Sequence, residues 1–227
     1  LTHKKKTLLS WSSGKDSAWA LHVLRGREGI EIAGLFSTVN ERFQRVAMHA
    51  VRADLLKLQA ESIGLPIRII PIPCPCSNAA YEDIMGRFVR EAGQQKIECM
   101  AFGDLFLDDV RDYREQALKD SGIRPIFPLW GEPTRKLARE IVAGGLMAKI
   151  TCIDPKHLTA EWVGREYDAS FLDTLPDTVD PCGENGEFHS FAYDGPMFST
   201  PVAVGMGETV HRDGFVFADL LPQEIYE

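Results

Sequence analysis

The chain has 227 residues and a formal net charge of −8. That length suits one large domain or two modest ones, and the acidic balance excludes general nucleic-acid binding, which needs a broad phosphate-neutralising surface. No run approaches the ~20 apolar residues of a membrane span, and five scattered cysteines argue against a secreted disulfide scaffold, so a cytoplasmic protein is expected.

In chain order, residues 7–11 read as a short buried strand and 18–24 as a helix. A second strand is expected over 30–39 and a helix over 47–63, stopped by Gly64. The β-branched run 67–72 reads as a third strand, followed by a helix that Ser77 or Asn78 caps and that ends near Gly93. A fourth strand over 99–102 closes on Gly103-Asp104, and a helix over 109–121 follows. Pro125 and Pro128 push the fifth strand, 123–129, toward a sheet edge. A helix over 134–142 and a sixth strand over 147–153 complete the alternation. The pattern predicts an α/β fold: a mostly parallel sheet with helices on both faces. From about residue 154 the alternation stops. Prolines, glycines and short β-like runs such as 188–193 and 215–218 then predict a smaller α+β region, giving units of 1–153 and 154–227.

Between the first strand and its helix lies Ser12-Ser13-Gly14-Lys15-Asp16-Ser17. A strand-to-helix junction presents unpaired N–H groups and the positive end of the helix dipole, so it suits an anion. Gly14 permits close backbone approach, the serines add hydroxyl donors and Lys15 adds a full charge. A phosphate or pyrophosphate fits. The Walker A pattern would need glycine at Leu9, and the dinucleotide fingerprint needs three spaced glycines where Gly14 stands alone. The plain alternative is a helix start capped by Asp16 or Ser17. In parallel sheets ligands sit at the carboxyl ends of strands, which groups Ser12–Ser17, Ser37-Thr38, Gly103-Asp104 and Leu129-Trp130 on one rim.

The second region carries Cys182-Gly183-Glu184-Asn185-Gly186-Glu187-Phe188-His189, two carboxylates three residues apart in a glycine-containing loop. Taken alone, they read as loop surface. Taken with SSGKDS they point further. That motif resembles the PP-loop of ATP pyrophosphatases, and together with the Gly-Glu-x-Gly-Glu-Phe loop it is similar to the diphthine–ammonia ligase family. Met48-His49, Gly103-Asp104-Leu105, Pro128-Leu129-Trp130 and Glu161-Trp162-Val163-Gly164-Arg165 match in the family's order. Asn185 replaces a usual glycine, and His189 stands where many members carry an acid.

The resemblance implies ATP and ammonium as substrates and Mg2+ as cofactor. It implies that a carboxylate is adenylylated and then amidated, as diphthine on an elongation factor becomes diphthamide; in a bacterial chain the acceptor would be another carboxylate. The expected nucleotide site is Ser12, Ser13, Gly14, Lys15, Asp16, Ser17, Ser37, His49, Gly103, Asp104 and Trp130. Lys15 and Asp16, with Glu184 and Glu187, form the catalytic set, and Asp16 or Asp104 holds the metal directly or through water. Glu184, Asn185, Gly186, Glu187 and His189 face the acceptor or the ammonium. His49 reads equally as a phosphate contact or a helix-end hydrogen bond, Trp130 as an adenine wall or a core residue, and His189 more as a satisfied strand histidine. With no glutaminase unit read in the sequence, free ammonium or a separate partner supplies ammonia. Homo-oligomerisation is left open. Rival readings are sulfur transfer, for which Cys74, Cys76 and Cys182 are the support, and a non-catalytic adenine-nucleotide module.

Overall fold

Leu35 and Phe36 are sequence neighbours buried in different hydrophobic clusters, because successive side chains of a strand point to opposite faces. They belong to the central part of a computed structural model that describes residues 3–46 and 51–223. The order is β1 (Lys5–Ser10), α1 (Lys15–Arg25), β2 (Ile30–Asn40), β3 (Arg45–Val46), α2 (Ala53–Ile63), β4 (Ile67–Ile72), α3 (Asn78–Gln94), β5 (Cys99–Ala101), α4 (Asp108–Leu118), β6 (Arg124–Ile126) and α5 (Thr134–Ala143). Then come β7 (Met147–Ile153), a 3-10 turn (Ala160–Trp162), α6 (Ala169–Thr174), β8 (Phe188–Asp194), β9 (Val204–Arg212) and β10 (Phe215–Pro222).

The first sheet is parallel in the order β4-β2-β1-β5-β6, and β3 pairs antiparallel with the last two residues of β2, on the edge away from β4. From β1 the chain builds outward to β2 and β4, then returns to β5 and β6 on the other side. The direction reverses between β1 and β5, so the loops leaving those two strands diverge and open a crevice. Helices cover both faces. Leu21 and Leu24 of α1, with Leu55 and Leu56 of α2, pack on the Leu35 side, and Phe88 and Val89 of α3 with Leu118 of α4 pack on the Phe36 side. β6 is short and lies at the edge, as its proline requires.

A second, antiparallel sheet runs β8-β7-β10-β9. The sequence reading makes 147–153 the last strand of the parallel sheet; the structure pairs it with β8 and β10 instead. Local pattern defines a strand but not its partner. β9 also differs from expectation: it is mostly exposed and lacks apolar alternation. The two sheets share one hydrophobic cluster, in which Leu9, Trp11 and Leu21 meet Ile150, Phe188 and Phe191. No helix among the described residues is long and apolar enough to cross a membrane.

Candidate active site

The loop after β1 is shaped by its own backbone. Ser13 has a left-handed φ of 70° and is fully buried. Gly14 is extended and begins α1; as the N-cap residue it has no side chain to cap the helix, so the first N–H groups are left to partners from elsewhere. The Ser12 hydroxyl donates to Ser17 Oγ at 3.1 Å, and Ser17 Oγ donates to the Gly14 carbonyl at 2.9 Å. The capped-helix alternative does not hold.

The end of β5 closes against this loop. A Cβ at Gly103 would lie 3.1 Å from the Asp16 carbonyl carbon, a tighter contact than side chains ordinarily make, so glycine eases the close approach of the two backbones. Beyond it, Asp104 stands 3.7 Å from Arg114 Nε of α4. The free edge of β8 closes the other side. Ala192 N–H donates to the Ser13 carbonyl at 2.9 Å, and Lys15 N–H donates to Ser190 Oγ at 3.2 Å. A cavity of about 220 Å³ results, with Ser12, Lys15, Asp16 and Asp104 on one wall and Glu184 and His189 on the other.

Lys15 is 1% exposed and joins the two walls. Its ammonium donates to Asp16 Oδ2 at 2.9 Å and to the Cys182 carbonyl, and it stands over the rings of Phe188 and Tyr167. Burial works against its charge, but Asp16 and the other negative groups nearby outweigh it, and the ammonium titrates above its ordinary range. Asp16 and Asp104 are shifted up, chiefly by burial, with Lys15 and Arg114 opposing. Burial also lifts Glu184 to about 7, against the pull of the Leu105 N–H, which donates to its Oε1 at 2.7 Å. Burial and Lys15 hold His189 down at about 4, so its imidazole is neutral.

A second cavity, about 430 Å³, opens between α3 and α4. Phe36, Tyr81, Met85 and Tyr113 line it, and Phe102 and Arg114 are common to both cavities.

Ser12, Lys15, Asp16, Ser17, Gly103, Asp104, Glu184 and His189 thus meet in one place. Other expected residues do not line it. Ser13 and Gly14 shape the loop from behind. Ser37 is buried inside β2, paired with Ile69, because β2 runs on to Asn40 and Ser37 is no strand end. Trp130 packs edge-on against Phe127, with the Arg111 guanidinium 4.8 Å from its ring. Glu187 is 2% exposed and faces its own loop, where its Oε1 accepts from Asp180 N–H and Asn185 Nδ2, both at 3.0 Å. Gly186 makes the turn at φ 87°. His49 lies outside the described residues. Arg114, Ser190 and the Cys182 carbonyl were missed. For Ser190 the alternation after Phe188 was a usable signal, and for Arg114 the only hint was its helix, which follows a rim loop.

Among the described residues no group of three or more His, Cys, Asp or Glu side chains is arranged to hold a metal ion. Asp16 Oδ1 is buried there without a hydrogen-bond partner, and Asp104 Oδ2 is buried with only the long ion pair to Arg114. Two hard oxygens of this kind suit Mg2+ completed by phosphate oxygens and water.

Two protein-family models match the chain: the diphthamide synthase N-terminal domain over residues 5–125 and the diphthamide synthase C-terminal domain over 133–219. The second match takes in α5 and β7 together with the antiparallel sheet. The chain is similar to the diphthine–ammonia ligase of Mus musculus, 26% identical over 235 residues that cover 91% of this chain and 85% of that protein. It is equally similar to that of Homo sapiens, 26% identical over 238 residues with the same coverage. The protein of that name from Schizosaccharomyces pombe is 24% identical over 225 residues, 90% of this chain but 37% of that longer protein.

Proposed function

The chain belongs to the diphthamide synthase family, and we propose that it is an ATP-dependent ligase that adenylylates a carboxylate and amidates it with ammonia, as in the conversion of diphthine to diphthamide. The observation that carries this reading is a single one: the helix start of SSGKDS faces Glu184 across one cavity at the sheet's switch point.

A carboxylate is a poor electrophile because its oxygen is a poor leaving group. AMP transfer from ATP, with release of pyrophosphate, converts it to an acyl-adenylate, from which AMP leaves easily when ammonia attacks the acyl carbon. In this reading the β and γ phosphates occupy the 220 Å³ cavity and the base enters the aromatic 430 Å³ cavity, large enough for a small ligand. The α phosphate then falls at the wall both share, beside Arg114. Lys15 and Arg114 stabilise charge that develops on the phosphates. Mg2+ held by Asp16 and Asp104 would neutralise phosphate charge when bound. Glu184 lies on the opposite wall with a carboxyl that titrates near neutrality. It is suited to bind ammonium, accept its proton and release ammonia toward the adenylate. The aromatic cavity takes over the adenine role that the sequence assigns to Trp130. Glu187 holds the loop that carries Glu184. The acceptor is a carboxylate on a protein or small molecule, with diphthine on an elongation factor the first to test.

The cysteines give sulfur transfer no support. Burial pushes the Cys182 thiol well up, and Cys74 and Cys76 lie outside the cavity lining. The deciding experiment incubates the protein with α-labelled ATP, Mg2+ and ammonium, with and without diphthine-bearing elongation factor or a small-molecule extract. Acceptor-stimulated AMP and pyrophosphate are expected, with the rate lowered roughly 10²-fold or more in Lys15→Ala. ADP and phosphate as products would overturn the mechanism, and nucleotide binding without turnover on any acceptor would favour the non-catalytic module.

A further inference from the structure

Gln59 of α2 is fully buried and touches neither cavity, yet its amide joins three pieces of the site. Its Oε1 accepts the indole N–H of Trp11 at 2.8 Å. Its Nε2 donates to the Ser13 carbonyl at 3.0 Å and to the Ala192 carbonyl at 2.6 Å. Both amide hydrogens and the carbonyl are therefore matched, which fixes the orientation of the group.

The Ser13 carbonyl is the point that matters. In a trans peptide the C=O of one residue and the N–H of the next point in opposite directions. Holding the Ser13 oxygen toward Gln59 and β8 turns the Gly14 N–H the other way. That N–H makes one long contact, 3.4 Å to Ser12 Oγ, and Ser12 lines the phosphate cavity. If the Ser13–Gly14 peptide flipped, a carbonyl oxygen would stand on the Ser12 side of the loop, beside the phosphate cavity, in place of a donor. The local chain resists that flip weakly. Ser13 already sits at φ 70°, which a residue with a Cβ adopts reluctantly, and Gly14 accepts either sign of φ. The hydrogen bonds from Gln59 and Ala192 are what hold the peptide in register.

We propose that Gln59 is a positioning residue that locks the Ser13–Gly14 peptide in its phosphate-binding orientation and couples it to the strand carrying His189 and Ser190. The inference rests on the phosphate-binding reading of the loop, and the test separates the two. The probe is inorganic pyrophosphate with Mg2+, followed by calorimetry on the full chain. Gln59→Met keeps the shape and removes both donors; a fall in affinity of tenfold or more is expected. Trp11→Phe removes the bond to Oε1 together with part of a buried ring but keeps both donors to the Ser13 and Ala192 carbonyls, and should stay within about threefold of the parent. Gln59→Glu faces two carbonyl oxygens when ionised and regains one donor when protonated. Its affinity relative to the parent at the same pH should recover as the medium is acidified, which gives a readout even if Gln59→Met does not fold.

Parent-like pyrophosphate affinity in Gln59→Met, a loss just as large in Trp11→Phe, or no recovery of Gln59→Glu in acid would overturn the proposal. A parent protein that bound no pyrophosphate would overturn the phosphate reading itself. A ligase assay adds a further split: loss through a misaligned phosphate loop raises KM for ATP more than it lowers kcat at saturation.

Discussion

Glu184 Oε1 accepts the Leu105 N–H from the wall of the phosphate cavity, whereas Glu187, three residues on, is turned back into its own loop. The sequence pairs these carboxylates but cannot separate them, since spacing fixes which residues share a loop and not which way each side chain turns. The environment of Glu184 and that of His189, on the same wall, can be read in solution. Burial raises Glu184 from its ordinary 4.5 to about 7 and lowers His189 from 6.5 to about 4. The two contribute to stability with opposite sign. Between pH 4.5 and 7 the folded Glu184 keeps a proton that the unfolded chain releases, so stability is lost as pH rises through that window. Between pH 4 and 6.5 the folded His189 refuses a proton that the unfolded chain takes up, so stability grows as pH rises. They oppose each other where the windows overlap. Relative to the parent at each pH, the melting temperature of Glu184→Gln should therefore climb from pH 4.5 to 7 and that of His189→Gln should fall from pH 4 to 6.5; Asp16 and Asp104, whose shifts have the same sign as that of Glu184, act in parent and variants alike. Parallel melting profiles in the two variants would contradict this account.

The phosphate-binding role proposed for the loop after β1 depends on two elements that meet without side chains between them. The end of β5 rests on the first turn of α1 at Gly103, where an added Cβ would stand 3.1 Å from Asp16 carbon and 3.2 Å from the Asp16 oxygen and the Ser17 nitrogen. These are backbone atoms and cannot swing aside, so Gly103→Ala must shift α1 relative to β5. A destabilisation of about 1–3 kcal/mol is expected from such overpacking, with weaker pyrophosphate binding because the displaced turn carries Lys15 and Asp16. Gly93→Ala is the control. It lies in α3 with open space around its Cβ, and alanine there should be neutral or stabilising by up to about 1 kcal/mol. Urea melts and calorimetric binding check both, and equal behaviour of the two variants would refute the close-approach argument. At this scale the sequence was informative wherever a pattern is local. The strand–SSGKDS–helix junction and the weak edge strand at Pro125 could be read directly. What escaped depends on partners distant in the chain: β7 shows the same run of apolar residues whether it joins one sheet or the other.

Across the whole molecule, one group of contacts joining the two sheets gathers around the cavity, and another, Arg45 and Arg52 with Asp219 of β10, lies apart from it. Lys15 reaches the Cys182 carbonyl, Ser13 and Gln59 are bonded to Ala192, Lys15 N–H meets Ser190, and Glu184 meets Leu105. Beneath them a single hydrophobic cluster runs from Leu9 and Trp11 through to Ile150, Phe188 and Phe191. Neither sheet can open without exposing the core of the other, so the two should melt as one cooperative unit, although the antiparallel sheet looks like an appendage in sequence. Calorimetry should give one transition whose calorimetric and van't Hoff enthalpies agree. Because the proposed phosphate cavity lies on the seam, a ligand there should move the entire transition. Pyrophosphate at a hundred times its dissociation constant adds about 2.7 kcal/mol to the folded state. With an unfolding entropy near 2.1 cal/mol/K per residue, that raises the midpoint of a chain this size by roughly 6 °C. Two resolved transitions, of which pyrophosphate moved only one, would mean that the seam is not continuous and that the site can lose one wall while the other stays folded.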